Sequence, residues 1–534
     1  MNKSGNIEAI YPLSPLQEGI LFHALYTPQS MGYFEQSSST LEGELNVPAF
    51  QLAWQTIVDR HPILRTLFAW ERREQPLQIV RQKARVPFNY QDWRSYPPSE
   101  QKAKLEAFLI SDRKQGFNLS KAPLMRLALM RLDEKRYQFT WSFHHLLLDG
   151  WSGPIVLSEF ISLYEAYCRD EKPTLPHRRP YRDYIRWLQE QDLSRTELFW
   201  RDYLDGFTKP TPFGVDKPKS EGETEAYANQ EFDLPEAATQ SLQRMAQQHH
   251  LTMSTIVQGV WAILLSRYSN ECDVVFGTTL SGRTAPLEDI ENMVGLFINT
   301  LPLRVEVPPD VSILEWLQVL QTQQTERRLY EHSPLTHIQQ WSGLPANVPL
   351  FESILAVANY PTPQRTETEQ HSLKISDVRV FEQTNFPLTV LVVPGSKLLW
   401  QLQYDCHRFD DETITRMLGH IQTILEYLIT KPNQRLSELS ILTEVEQCIM
   451  LVEWNNTQTR YPRHSTLHQL FETQVERTPD DIAVVFGNQQ LNYRELNDRA
   501  NKLANHLKKR GVGPEICVGL CLERSTEMVV AILG

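Results

Sequence analysis

The 534-residue chain has only six cysteines, with no CxxC pair and no finger-like Cys/His spacing. Cys168, Cys272, Cys406 and Cys448 are scattered, and only Cys517 and Cys521 lie near one another. This pattern points to reduced thiols and away from metal ligands or a disulfide framework. No Lys/Arg-rich stripe relieves the net charge of −12, which argues against nucleic acid as the main partner. Long apolar runs are missing too. The N-terminal "MNKSGNIEAIYPLSPL" has no signal-peptide core, and "LTVLVV" from Leu388 is far short of a membrane span. A cytoplasmic protein without a membrane partner is expected.

Several catalytic devices are also absent. There is no G-x-S-x-G elbow, no G-x-x-x-x-G-K-[ST] phosphate loop and no H-E-x-x-H zinc helix. No segment is biased enough to be disordered, and 41% hydrophobic residues is an ordinary globular share. The length exceeds what one hydrophobic core sustains, so about three units are expected.

Periodicity sketches those units. In "VPAFQLAWQTIVDRH", Val47, Phe50, Leu52, Ala53, Trp54, Ile57 and Val58 recur at helical spacing, and Pro62 ends the helix before a β-prone run. Residues 172–180 form the expected hinge between two halves of similar layout. The second half is predicted to hold a helix over 236–268, the strands "DVVFGTTLSG" and "NTLPLRVEV", and a helix near Ser312. A polar stretch over 436–464 has the composition of a linker. Beyond it, "IAVVF" and "LNY" flank "GNQQ" as a hairpin, and Leu496, Ala500, Leu503 and Leu507 mark a helical stripe. "EICVGLCL" has the pattern of a strand, and Ser525 is placed to cap a final helix.

The most distinctive segment is "FHHLLLDGWS", residues 143–152. Before it, Tyr137, Phe139, Trp141 and Phe143 alternate as in a strand, and "IVLSEFISLYEAYC" after it has a helical apolar face. The motif is therefore a strand-to-helix corner. Adjacent histidines on a strand point to opposite faces, so His144 and His145 are not expected to share a metal ion. Two other readings remain: both rings satisfying hydrogen bonds in the core, or one acting in proton transfer near neutral pH. Asp149 could fix the loop or the ring, and Gly150 would permit a backbone turn that a side chain blocks. A histidine without further devices suits a substrate that is already activated.

"HHLLLDG" resembles the HHxxxDG signature of the condensation domains of non-ribosomal peptide synthetases, which share their fold with chloramphenicol acetyltransferase. Other family motifs occur in family order: "LSPLQEGILFH" from Leu13, "RHPILRTLF" from Arg60, "YRDYIRWLQ" from Tyr181, "VGLFINTLPLRV" from Val294 and "TNFPLTV" from Thr384. "LNYREL" and "CLERSTEMVVAILG" are similar to the start of an adenylation domain.

The resemblance implies an α/β (α+β) fold of two acetyltransferase-like subdomains in a V, over 1–175 and 176–435. A linker over 436–464 and a truncated, inactive start of an adenylation domain over 465–534 would follow. It implies amide-bond formation between a donor peptidyl or aminoacyl thioester and an acceptor aminoacyl thioester. Both would be carried on 4′-phosphopantetheine arms of partner carrier proteins, with no cofactor or metal held by this chain. His145 matches the catalytic histidine. Asp149 matches a structural residue paired in relatives with an arginine, here Arg283, while His144 and Gly150 would hold the loop.

The wording "YPLSPLQEGILFHALY", "YFEQ" and "HHLLLDGWS" is most similar to the subclass joining a D-configured donor end to an L-acceptor, and "EQTNFPLTV" departs from the Arg-Asp-containing form that this motif has in other subtypes. An epimerisation domain is disfavoured by the domain order, and a non-catalytic recruiting domain by the intact histidine motif. "FGTTLSG" from Phe276 is not taken as an adenylating phosphate loop, and no serine motif for a phosphopantetheine arm is present. A start at Met1 close to the first motif leads us to expect an upstream donor carrier acting in trans and a downstream acceptor carrier.

Overall fold

A computed structural model describes residues 6–27, 32–217, 227–345, 347–359 and 373–534. The first residues of the N-terminal segment and part of the charged stretch before Tyr227 lie outside them. The chain divides into two compact units, Met1–Glu446 and Gln447–Gly534.

Two large sheets organise the first unit, beside a small one of Ile7–Pro12, Leu77–Arg81 and Thr66–Ala69. One has five strands in the order Lys374–Phe381, Phe34–Glu42, Arg136–His144, Met125–Arg131 and Phe88–Asp92, all antiparallel except the last pair. Strand period 2 gives this sheet two different faces. Tyr137, Phe139, Trp141 and Leu41 join a core with Phe50, Trp54 and Phe160, from the helices Val47–Arg60 and Ser152–Cys168. Gln36 and Ser142 turn the other way and hydrogen-bond Asp112 of the helix Pro98–Gln115 at 2.7 and 2.6 Å.

The second sheet has six strands, Asn299–Glu306, Asp273–Leu280, Ser353–Val357, Leu388–Val393, Leu398–Asp405 and Tyr227–Leu234 in spatial order. Its core is filled from the helices Glu236–Gln248, Met253–Ser269, Ile313–Arg328 and Asp411–Thr430. The strand Lys374–Phe381 thus pairs with Phe34–Glu42, more than three hundred residues earlier in the chain, which no local pattern announces.

The amphipathic helix over Val47–Arg60 forms as its spacing predicts, except that Leu52 is 52% exposed. The single helix expected over 236–268 is two helices, because His250 takes a positive φ and the Thr252 hydroxyl caps a fresh N-terminus at Met253 by accepting the Thr255 N–H. The helix after the motif starts at Ser152, earlier than its apolar face indicates, since Pro154 is tolerated in a first turn that has no intrahelical N–H bonds to lose.

In the second unit the hairpin Ile482–Phe486 with Gln489–Asn492 and the helix Tyr493–Lys509 form as expected, and the Ser525 hydroxyl caps Thr526–Leu533. "EICVGLCL" is not a strand. Strand conformation needs a neighbouring ladder, and among the described residues this segment has none; Ile516, Val518, Leu520 and Leu522 are 45–54% exposed. No helix among the described residues is long and apolar enough to cross a membrane.

Candidate active site

The motif strand ends at His144, and Leu146, Leu147 and Leu148 turn into the core with at most 1% exposure. The corner is fastened by backbone bonds, Leu147 N–H to His144 C=O at 3.0 Å and Asp149 N–H to Gly295 C=O at 3.1 Å. Gln17, fully buried, donates to the Leu146 carbonyl at 2.9 Å. Gly150 does not take a positive φ, so the turn does not require glycine there on backbone grounds. Two other glycines are required, Gly282 by its backbone and Gly295 by its packing. Gly282 has φ 65° and a Cβ there would overlap the Phe297 carbonyl, while a Cβ on Gly295 would overlap the Tyr181 ring.

Asp149 is buried with its side chain fully enclosed, and every acceptor site has a donor. Oδ1 accepts from the Ser152 N–H at 2.8 Å and its hydroxyl at 2.7 Å, and Oδ2 from the Phe297 N–H at 3.0 Å. Arg283 Nη2 meets both oxygens, at 3.2 and 3.3 Å. The guanidinium also donates to the Ile290 and Met293 carbonyls at 2.7 and 3.0 Å and lies 4.2 Å above the Phe297 ring. Residues 149 and 283 thus tie the corner to the loop before Asn299.

The two histidines have separate surroundings. His144 is buried, and its Nδ1 accepts from the Leu146 N–H at 3.2 Å. Burial, with the neighbouring His145 charge, lowers its pKa to about 3, so it is neutral at pH 7. His145 donates its backbone N–H to the Tyr33 carbonyl at 2.9 Å, and its ring Nε2 lies 3.7 Å from Glu382 Oε1. Burial opposes its charge, but the contact with Glu382 and the charges of Glu35 and Glu382 outweigh that and raise its pKa to about 9.

Register explains this company. Phe34 pairs with His144, and Phe381 with Gln36. Extended by one residue, the first pairing sets His145 beside Tyr33 and the second sets Glu382 beside Glu35. Glu35 is on the strand Phe34–Glu42, and Tyr33, just before it with φ 65°, has its ring centroid 6.5 Å from that of His145. Glu35, His145 and Glu382 offer polar atoms all within 4.8 Å of one another, the one such trio of His, Cys, Asp or Glu among the described residues. Burial, reinforced by the Glu382 charge, holds the Glu35 carboxyl well above the usual carboxylate range. Nearby, the Tyr33 hydroxyl bonds the Asn385 side-chain oxygen, and Asn385 Nδ2 lies 3.1 Å from His23 Nε2.

The sequence reading singled out His144, His145, Asp149, Gly150 and Arg283, and the fold brings all five to one corner region. It missed Glu35, Glu382, Tyr33, Asn385 and Ser152 as individual groups. "YFEQ" and "EQTNFPLTV" held four of these, yet nothing in those letters says which residues face His145.

A family model described as "Condensation domain" matches residues 7–451, and one described as "AMP-binding enzyme" matches residues 471–534. A component of the linear gramicidin synthase of Brevibacillus parabrevis is 46% identical over 542 aligned residues. That alignment covers 100% of this chain and 7% of the relative, so the chain spans a small fraction of that protein's length. Among solved structures, a four-domain nonribosomal peptide synthetase bound to AMP and glycine matches at TM-score 0.73 and 18% identity, covering 95% of this chain and 39% of that one. The X-domain in complex with OxyB from teicoplanin biosynthesis matches at TM-score 0.68 and 23% identity, covering 83% and 98%. The mixed sheets of the first unit are those of the acetyltransferase-like fold shared by these structures. The chain belongs to the condensation-domain family of non-ribosomal peptide synthetases, and a short AMP-binding segment follows that domain.

Proposed function

We propose that this condensation domain joins a donor acyl thioester to the α-amine of an acceptor aminoacyl thioester, both held on phosphopantetheine arms of carrier domains, with His145 as the catalytic residue. The observation that carries the reading is the placement of His145. It is the histidine whose ring lies among other ionisable groups, on a corner held by the Asp149–Arg283 pair. Asp149, Arg283, His144 and Gly150 are framework residues. The subdomain division at 175/176 and the linker over 436–464 belong to this reading, with the pairing of strand 374–381 as an exchange between the halves.

The chemistry asked of His145 is small. An α-amine has a reference pKa of about 7.7–8.0, so roughly a tenth to a fifth is already neutral at pH 7. The amine nitrogen attacks the thioester carbonyl carbon, forming the C–N bond, and the C–S bond breaks to release the pantetheine thiolate. The nitrogen becomes strongly acidic as it attacks; His145 orients it, takes that proton late, and the departing sulfur is protonated. A D-configured donor end and an L-acceptor are supported by the "YFEQ" and "HHLLLDGWS" wording.

The test supplies the chain with one donor-loaded and one acceptor-loaded carrier. Peptide should form, and His145→Ala should lose it by orders of magnitude with carrier binding retained; near-normal turnover of the variant would overturn the assignment. Running D- and L-donors side by side checks the stereochemical part. The fold likeness to an X-domain bound to OxyB favours a second reading, recruitment of another protein without catalysis. Product from two loaded carriers separates the two.

A further inference from the structure

Glu35 has no part in the chemistry above, yet it is a carboxyl buried to more than nine-tenths in a strand, and its Oε1 has no hydrogen-bond partner among the described residues. Of the His, Cys, Asp and Glu side chains among the described residues, His145 and Glu382 group with it, the three polar atoms lying within 4.8 Å of one another. A point central to such a triangle lies at most about 2.8 Å from each corner, the length of a charge-assisted N–H···O bond. One small cation with three N–H donors fits that geometry. Two acids around one imidazole form an unusual environment for a buried strand end, since each carboxyl discourages ionisation of the other unless a cation sits between them.

We infer that Glu35 and Glu382 form, beside His145, a subsite that receives the acceptor's α-amino group as the primary ammonium ion. This rests on the proposed function and adds how the acceptor is recognised. In the empty site the cation is the His145 imidazolium, facing Glu382. When the acceptor enters, its ammonium takes over the two carboxylates, and His145 sheds its proton to solvent. The ring is then neutral; the ammonium passes one proton to a carboxylate of the Glu35–Glu382 pair, which frees the lone pair for attack, and His145 takes the second proton late as the C–N bond forms. Burial and the Glu382 charge oppose ionisation of the Glu35 carboxyl, and the arriving cation favours it. The groups facing His145 in this exchange are Glu35 from one strand, Tyr33 just before that strand and Glu382 just past the crossing strand, while His144, next to it in the chain, adds a charge effect from the other face.

The experiment measures equilibrium binding of two acceptor mimics to the full chain at pH 7 without donor. The probes are an aminoacyl pantetheine thioether and its α-hydroxyacyl counterpart, which has the same shape without the charge. The native chain should bind the amino form at least tenfold more tightly. That ratio should collapse toward one in Glu35→Gln and in Glu382→Gln, with binding of the α-hydroxyacyl probe unchanged. Glu382 is half exposed, so its variant keeps the test open if Glu35→Gln melts early. An unchanged ratio in a folded variant overturns the proposal. So does tight binding of zinc alone that Glu35→Gln abolishes without changing the ratio, since the trio would then be a metal site. Because no donor is present, the ratio is read even if the chain proves unable to form peptide, and failure of the proposed function remains distinguishable.

Discussion

At the scale of single residues, the two histidines should respond to pH in opposite directions. Folding raises the His145 pKa above its ordinary 6.5 to about 9, so its charge stabilises the fold fully below pH 6.5 and that contribution is lost as pH rises through 9. The same ionisation should appear as a limb near pH 9 in kcat/KM, which reports the free enzyme, and Glu382→Gln should move it down while leaving the amine's own limb in place. His144 has its pKa lowered to about 3, so the fold loses stability as pH falls from 6.5 toward 3. His144→Asn, which keeps an acceptor for the Leu146 N–H, should flatten the stability–pH slope between those values in denaturant titrations. Asp149→Ala leaves Arg283 buried without its partner and should lower stability by about 3–5 kcal/mol. A variant that melts like the parent but is inactive would assign Asp149 to chemistry instead. The sequence made His145 and Asp149 visible because both lie in one short segment where strand period and turn residues speak directly. Glu35 and Glu382 were not visible, since they reach His145 only through the register of two strand pairings, which a single sequence does not specify.

Individual elements show where local pattern decides and where neighbours do. The helix over Val47–Arg60 was legible because its apolar stripe and its core agree. The break at His249–Thr252 was not, because the apolar stripe continues across it, and the Thr252 cap is one threonine among several polar residues. "EICVGLCL" had strand periodicity without a partner, and periodicity cannot supply a ladder. At Gly282 the backbone itself is demanding: φ 65° and the adjacent Phe297 carbonyl leave no place for a methyl group. Gly282→Ala should therefore cost more than about 1–2 kcal/mol, the penalty of the left-handed conformation alone. Thermal melting checks it, and because Arg283 is the next residue, the loss should be partly shared with Asp149→Ala in a double-mutant cycle.

Over the whole molecule, the division at Glu446/Gln447 sets the expected unfolding behaviour. The first unit has two large cores, whereas buried apolar side chains in the second are few, Val475, Leu491, Leu496 and Ala500 among them. Calorimetry should resolve two transitions, the smaller unit melting first, and limited proteolysis should cut within the exposed 454–465 stretch and at 515–524 before it touches the first unit. Protease resistance through Gly534 would contradict this. The crossing strand Lys374–Phe381 bears on how such proteins can be recombined. Any graft that replaces everything after residue 175 also replaces an edge strand of the retained sheet and, one residue beyond it, the carboxylate facing His145. A chimera with a single junction between the halves would combine one parent's histidine with the other's acid, so its proton chemistry would belong to neither parent, however well each half folds.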